Sequence, residues 1–189
     1  VGSEMCIRDR AIPMGIVALW IKIDSPGPVF FKQRRVGKDK THFNILKFRT
    51  MRGDTPHDVP THLLKNADSY ITKSGAFLRK TSLDELPQLF NIWKGEMSIV
   101  GPRPERPELA AEIEKEIPEF CYRLKMKAGL TGYAQVMGNY STSFLDKLKW
   151  DLMYIENYSL FLDFRILLMT AIAIFAKDNH EDFSKWDML

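Results

Sequence analysis

The chain has 189 residues, 45% of them hydrophobic and 27% charged, enough for one domain with a sizeable core and too few for two large ones. A net charge of +3 does not by itself argue for a nucleic-acid partner, and two cysteines, Cys6 and Cys121, offer neither a disulfide framework nor zinc-ligand spacing. There is no internal repeat, no low-complexity tract and no apolar run of transmembrane length.

The first ten residues, VGSEMCIRDR, are polar and carry no helical stripe; they are set aside as a leader, a scar or a misassembled gene start. Ala11–Ile21 (AIPMGIVALWI) is an apolar run of 11 residues. At 1.5 Å per residue it reaches about 16 Å, roughly half the hydrocarbon core, so it either dips into one leaflet or packs as a core helix. Pro13 kinks it and frees a carbonyl. A basic cluster follows, Lys32, Arg34, Arg35, Lys38 and Lys40, which suits anionic headgroups beside an apolar anchor, or else a solvated hairpin rim. Alternation in PVFFKQRRVG and THFNILKFRTM predicts two short strands with a turn at Gly37–Thr41, leaving Lys47 and Arg49 at a strand end. Arg52–Asn66 reads as a polar loop whose His57 and His62 have no companion ligands and are solvated. Ala67–Lys80 leads on, with Gly75 as punctuation and Arg79 five residues ahead of Asp84.

The stretch Arg79–Pro107, RKTSLDELPQLFNIWKGEMSIVGPRPERP, holds the densest chemistry. A helix opening at Asp84 puts Pro87 in the first turn, where no N–H is missed, and makes Asp84 the cap. Leu86, Leu89, Phe90 and Trp93 then share one face, and Lys94–Gly95 supply the stop. The dipole of such a helix favours an ionised Asp84 and attracts an anionic ligand. Asp84 and Glu85 side by side cannot ionise as easily as one alone, so one suits a nucleophile while the other handles a proton or a cation. The plain alternative is a capped surface helix with two solvated acids. In Gly101–Pro107 (GPRPERP) three prolines stiffen the backbone that carries Arg103 and Arg106, whose planar forks suit phosphate oxygens.

Pro107–Met126 predicts a helix broken at Pro118, with a solvated acidic face at Glu112, Glu114 and Glu116. Gly129–Gly138, with three glycines and Thr131, reads as a loop that lets backbone approach a ligand, though it follows no known nucleotide-loop spacing. Leu145–Ser159 predicts an amphipathic helix with Leu145, Leu148, Leu152 and Ile155 on one side; Trp150, Tyr154 and Tyr158 suit a membrane interface or an aromatic core stripe. Leu160–Ala176 is apolar but interrupted by Asp163 and Arg165, and its clean run, Ile166–Ala176, is too short to span. It lies in an interface or packs on the domain. Asp178–Leu189 is a polar tail.

The words KFRTM (47–51), LRKTSLDELPQLFNIWKGEMSIVGPRPE (78–105) and GLTGYAQVMG (129–138) resemble the bacterial sugar transferase family, the monotopic polyprenyl-phosphate phosphoglycosyltransferases. SPGPVFFKQRRVGK (25–38) and DLMYIENYSLFLDFRILLMT (151–170) resemble it too, so the likeness runs from about Ile12 to Ala176. It departs at Ala128, where the family usually has Pro, and at Asn139, where Arg is common. The resemblance implies an α+β fold, a mostly helical single domain with a short β-hairpin. Residues 11–24 would be a re-entrant membrane helix bent at Pro13, incomplete because its first arm is not evident. A catalytic domain would occupy 25–159 and an amphipathic interfacial helix 160–177.

For function the resemblance implies transfer of a sugar 1-phosphate from a nucleotide diphosphate sugar, by family habit a UDP-sugar, to polyprenyl (undecaprenyl) phosphate. Nucleoside monophosphate leaves, and exopolysaccharide or glycan assembly begins. Asp84 would be the nucleophile and a Mg²⁺ ligand, Glu85 would orient or deprotonate the incoming group, and Lys47, Arg79 and Arg103 would hold phosphates. The enzyme would work at the cytoplasmic face of the bacterial inner membrane. Two other classes fit the same residues: a soluble phosphohydrolase with Asp84 as nucleophile, and a non-catalytic membrane scaffold in a polysaccharide assembly complex.

Overall fold

The computed structural model describes residues 14–55, 67–138 and 142–176. The expectations for the polar leader, Pro13, His57, His62, Asn139 and the tail fall outside the described residues. Among the described residues the fold is helical with two small sheets. It resolves into two compact units, one within Val1–Lys32 and Leu46–Pro87, the other within Gln33–Ile45 and Gln88–Leu189.

In the first unit, helix α1 (residues 14–24) presents Met14, Val17 and Ile21 to a core shared with Val29, Phe48, Leu78, Leu83 and Leu86. The 3- and 4-residue spacing of those three places them on one face. The other face leaves Ile16, Leu19 and Ile23 at 63–76% exposure, so α1 is apolar on its outer side as well. Strands β1 (Phe30–Val36) and β2 (His42–Phe48) form a two-stranded sheet. The predicted turn joins them, with Gly37 N–H donating to the Thr41 carbonyl at 2.7 Å. So short a connection makes the pair a hairpin. The basic cluster divides: Lys32, Arg34 and Lys38 are exposed, while Arg35 and Lys40 bond within the second unit.

Beyond β2 the chain pairs with residues 70–72. Met51 bridges Ile71, Thr72 N–H donates to the Thr50 carbonyl at 3.1 Å, and Arg52 N–H donates to the Tyr70 carbonyl at 2.9 Å. Helix α2 (Lys73–Lys80) starts there under two caps. Thr72 Oγ1 accepts from Gly75 N–H at 3.0 Å. Asp24 accepts from both the N–H (2.8 Å) and the hydroxyl (2.7 Å) of Ser74, which holds the Asp24 carboxyl below its usual range. Gly75 is therefore not punctuation but sits inside α2, where a Cβ would collide with the Thr50 carbonyl oxygen. Arg49 does follow the end of β2, as read, and it is buried: its two Nη groups donate to the carbonyls of Pro26 and Ser25, each at 2.6 Å.

The second unit is built on the parallel pair β3 (Ser98–Val100) and β4 (Gly129–Thr131), in register Ser98–Gly129 and Val100–Thr131. Around it stand α3 (Gln88–Trp93), α4 (Pro107–Glu116), α5 (Tyr133–Met137), α6 (Phe144–Glu156) and α7 (Leu160–Ala176). The predicted break at Pro118 is present, as a 3₁₀ segment Pro118–Lys125 follows α4. The stretch read as a glycine loop is β4 and α5, and two of its glycines serve backbone packing. A Cβ at Gly129 or Gly132 would strike Gly101, because these segments lie backbone against backbone. Ala128, where a proline was expected, is 5% exposed in a core with Phe43, Ile45 and Met97.

Tyr154 is core, not interface: it is 1% exposed, packs with Val100 and Ile166, and donates to Asp163 at 2.7 Å. Leu145, expected on the inner face of α6, is 47% exposed. A buried Asp151 takes the inner position with Leu148, paired to Arg123 at 2.7 Å. Burial pushes the Asp151 carboxyl up to about 6 and the Arg123 charge pulls against it. Helix α7 buries Ile166 and leaves Leu160, Phe161 and Phe164 at 60–80% exposure.

Two stability outcomes follow. Gly75→Ala forces α2 off the Thr50 carbonyl and costs about 1–3 kcal/mol, read as a lower urea midpoint. Gly53→Ala, whose added Cβ meets nothing closer than 3.8 Å, is the control that leaves the midpoint in place. Arg123→Ala strands a buried carboxylate and costs about 3–5 kcal/mol in the same measurement.

Candidate functional site

The candidate site grows from the first unit's core. Leu83 and Leu86 are three residues apart and both pack against it, which suits the three-residue period of a 3₁₀ turn. That turn, Leu83–Glu85, follows Ser82 in a left-handed conformation (φ 56°), and the Leu86 N–H closes it on the Leu83 carbonyl at 3.2 Å. Asp84 and Glu85 thus ride on a short turn pinned by leucines on either side.

This corrects the expectation that a helix opens at Asp84. The helix α3 begins only at Gln88, and Asp84 is not its cap. The expected apolar face holds only in part: Leu86 packs into the core and Leu89 is half-buried, but its other two members turn outward. Phe90 and Trp93 are 47% and 82% exposed, while Gln88 and Asn91 are buried. Asn91 accounts for part of this: its Nδ2 donates to the Asn44 carbonyl (2.8 Å) and to Glu96 (2.6 Å), so a polar side chain is satisfied inside.

Four of the five expected site residues lie in the first unit. Lys47, on the last turn of pleat in β2, donates to Glu85 at 2.6 Å, both side chains being about a fifth exposed. Arg79 sits in the last turn of α2, and its Nε donates to Thr50 Oγ1 at 2.9 Å. Burial raises the Asp84 carboxyl above its usual range; Lys47 draws it down, Glu85 raises it further, and Arg79 draws it down again. Desolvation therefore replaces the helix dipole as the influence that sets Asp84, and the two acids do act on one another. Arg103 belongs to the second unit, where it is exposed.

The loop that carries Arg103 is held by its carbonyls as well as by its prolines. Gly129 N–H donates to Pro102 (3.0 Å), Arg123 Nη2 to Arg103 (2.9 Å), Arg35 Nη1 to Pro104 (3.0 Å) and Val36 N–H to Glu105 (3.0 Å). Four successive carbonyls are thus fixed, and the Arg103 side chain projects from a backbone with little freedom to lose on binding.

For a divalent cation, no group of three His, Cys, Asp or Glu side chains gathers among the described residues. Glu85 is engaged by Lys47, so Asp84 is the carboxylate of the pair that can turn to a cation. One carboxylate fits Mg²⁺ when the remaining ligands are water and substrate phosphate. Thr50 and Arg123 escaped the sequence reading. Thr50 sits in the word KFRTM, which is the only signal that pointed to it, and nothing in the pattern around Arg123 marked it as buried.

The bacterial sugar transferase family model matches residues 5–177. The UDP-glucose:undecaprenyl-phosphate glucose-1-phosphate transferase of Xanthomonas campestris pv. campestris is 42% identical over 163 residues, covering 84% of this chain and 34% of that protein. The UDP-N-acetylgalactosamine-undecaprenyl-phosphate N-acetylgalactosaminephosphotransferase of Aeromonas hydrophila is 41% identical over 182 residues, covering 92% and 43%. An exopolysaccharide production protein of Rhizobium leguminosarum bv. phaseoli is 42% identical over 167 residues, covering 83% and 82%. This chain spans less than half the length of the first two relatives. With the family model matched along most of its residues, the chain belongs to the bacterial sugar transferase family.

Proposed function

We propose that this chain is a phosphoglycosyltransferase that moves a sugar 1-phosphate from a UDP-sugar to undecaprenyl phosphate, releasing UMP and starting a glycan. The substrate classes are those in the names of the relatives. The observation that carries the reading is the desolvated Asp84 set among Lys47, Arg79 and Glu85. A carboxylate partly shielded from water and steadied by cations suits a nucleophile more than a solvated surface acid.

In the proposed reaction an Asp84 carboxylate oxygen attacks the phosphorus next to the sugar. The bond from that phosphorus to the UMP oxygen breaks, and an aspartyl phosphosugar remains. A phosphate oxygen of undecaprenyl phosphate then attacks the same phosphorus and frees Asp84. Glu85, hydrogen-bonded to Lys47, orients the incoming group, and a lysine already paired stays close to the diphosphate without an unpaired buried charge. Arg79 holds phosphate oxygens with its fork. Asp84 is the residue that would hold a Mg²⁺ ion, which would supply positive charge against the charge developing on the phosphates.

Location follows the acceptor, whose phosphate sits at a bilayer surface. Among the described residues no helix is long and apolar enough to cross a membrane. The exposed apolar residues of α1 and of α7 support entry into one leaflet and an interfacial seat; the cytoplasmic face of the inner membrane is part of the proposal.

Asp84→Asn abolishes UMP release, and the wild type incubated with donor alone shows a phosphosugar adduct on Asp84 by mass spectrometry. Turnover to free sugar phosphate without undecaprenyl phosphate instead identifies a phosphohydrolase, and full activity of the Asn variant removes the covalent step. Arg79→Ala lowers the rate by about 10²–10³. The pH profile has a definite sign. Asp84 must be ionised to attack, so kcat/KM falls as pH drops through its raised pKa. Lys47→Met removes a charge that lowers that pKa and moves the acid limb to higher pH; an unmoved limb contradicts the assignment of Asp84.

A further inference from the structure

We propose that Thr50 is a positioning residue for Arg79, fixing the guanidinium so that its fork meets the diphosphate of the donor; the inference rests on the phosphate-binding role given to Arg79 above. Thr50 is 8% exposed and its place is overdetermined. Its carbonyl accepts from Thr72 N–H, the neighbouring Met51 bridges Ile71, and Gly75 of α2 lies against that same carbonyl with no room for a Cβ. The hydroxyl therefore stands at a point set by backbone on both sides. From there it accepts the Arg79 Nε–H at 2.9 Å.

The bond is made through Nε, and a phosphate would be met by the terminal Nη pair. An arginine in the last turn of an eight-residue helix otherwise has several rotatable bonds to fix on binding. Holding Nε sets the plane and direction of the fork before the ligand arrives, which lowers the ordering cost. Lysine cannot substitute at such a site, since it has neither the fork nor the Nε–H. The same anchoring keeps the Arg79 charge where Asp84 feels it.

The test uses the full chain and equilibrium binding of UDP with Mg²⁺ present, with folding followed by circular dichroism. Thr50→Val keeps the branched shape and removes the acceptor, and it weakens UDP binding by about tenfold, the scale of one hydrogen bond to a charged group. Thr50→Ser restores the acceptor and brings binding back to within about threefold of wild type. On an Arg79→Lys background, already weakened, Thr50→Val adds less than about twofold, because there is no Nε–H left to hold. If the Thr50→Val loss is the same on both backgrounds, or if Ser is as impaired as Val, Thr50 acts through packing alone and the inference is overturned. If Arg79→Lys binds UDP as wild type does, the phosphate-binding role of Arg79 fails first and the positioning role falls with it.

Discussion

The constraint on which the first unit turns is the approach of two backbones at Thr50. Gly75 brings α2 against the Thr50 carbonyl, and the pairing of 50–52 with 70–72 holds the two segments in step. Because β2 runs straight into Thr50 and α2 runs on to Arg79, this one apposition ties the strand that carries Lys47 to the helix that carries Arg79. The core of Ile21, Phe48 and Leu78 lies under it, and Leu83 and Leu86 fasten the turn of Asp84 and Glu85 to the same core. Fully burying a leucine such as Leu78 stabilises by about 1.5–3 kcal/mol, and the partly buried Leu83 and Leu86 add a share of that to a turn with few hydrogen bonds of its own.

The apolar helix α1 is part of that body. Ile21 is in the core, Asp24 caps α2 through Ser74, and Arg49 grips the carbonyls of Ser25 and Pro26. A helix whose outer face suits lipid is therefore joined by charged hydrogen bonds to the residues around Asp84. In the second unit the equivalent economy is the buried Arg123. It pairs with Asp151 and donates to the Arg103 carbonyl, so one guanidinium serves both the core and the arginine loop. A buried ion pair of this kind is weak evidence for stability, but losing one partner is costly, which keeps the loop and α6 dependent on each other.

Much of the site was legible because its signals are local. The hairpin turn at Gly37–Thr41, the break at Pro118 and the proline-stiffened GPRPERP segment each depend on what a few adjacent backbones permit. Asp84, Glu85, Lys47 and Arg79 were marked by residue type and by the words they stand in, and the structure gathers all four in one unit. The misreadings share a cause. Phe90 and Trp93 look like a core face and are exposed; Leu145 looks like the inner side of its helix and is exposed as well. In each case the periodicity or residue type was read correctly, but which surface faces inward depends on a partner far along the chain.

From residues alone came the sites of chain reversal, the short apolar helices and most of the candidate site residues, since propensity and charge act over a few residues; Lys47 entered through the family resemblance. Tertiary structure alone decided that Asp84 sits on a 3₁₀ turn and answers to desolvation instead of a helix dipole, that Glu85 is Lys47's partner, and that Thr50 and Arg123 stand behind the arginines. Burial and pairing are properties of distant segments brought together, and no local pattern carries them.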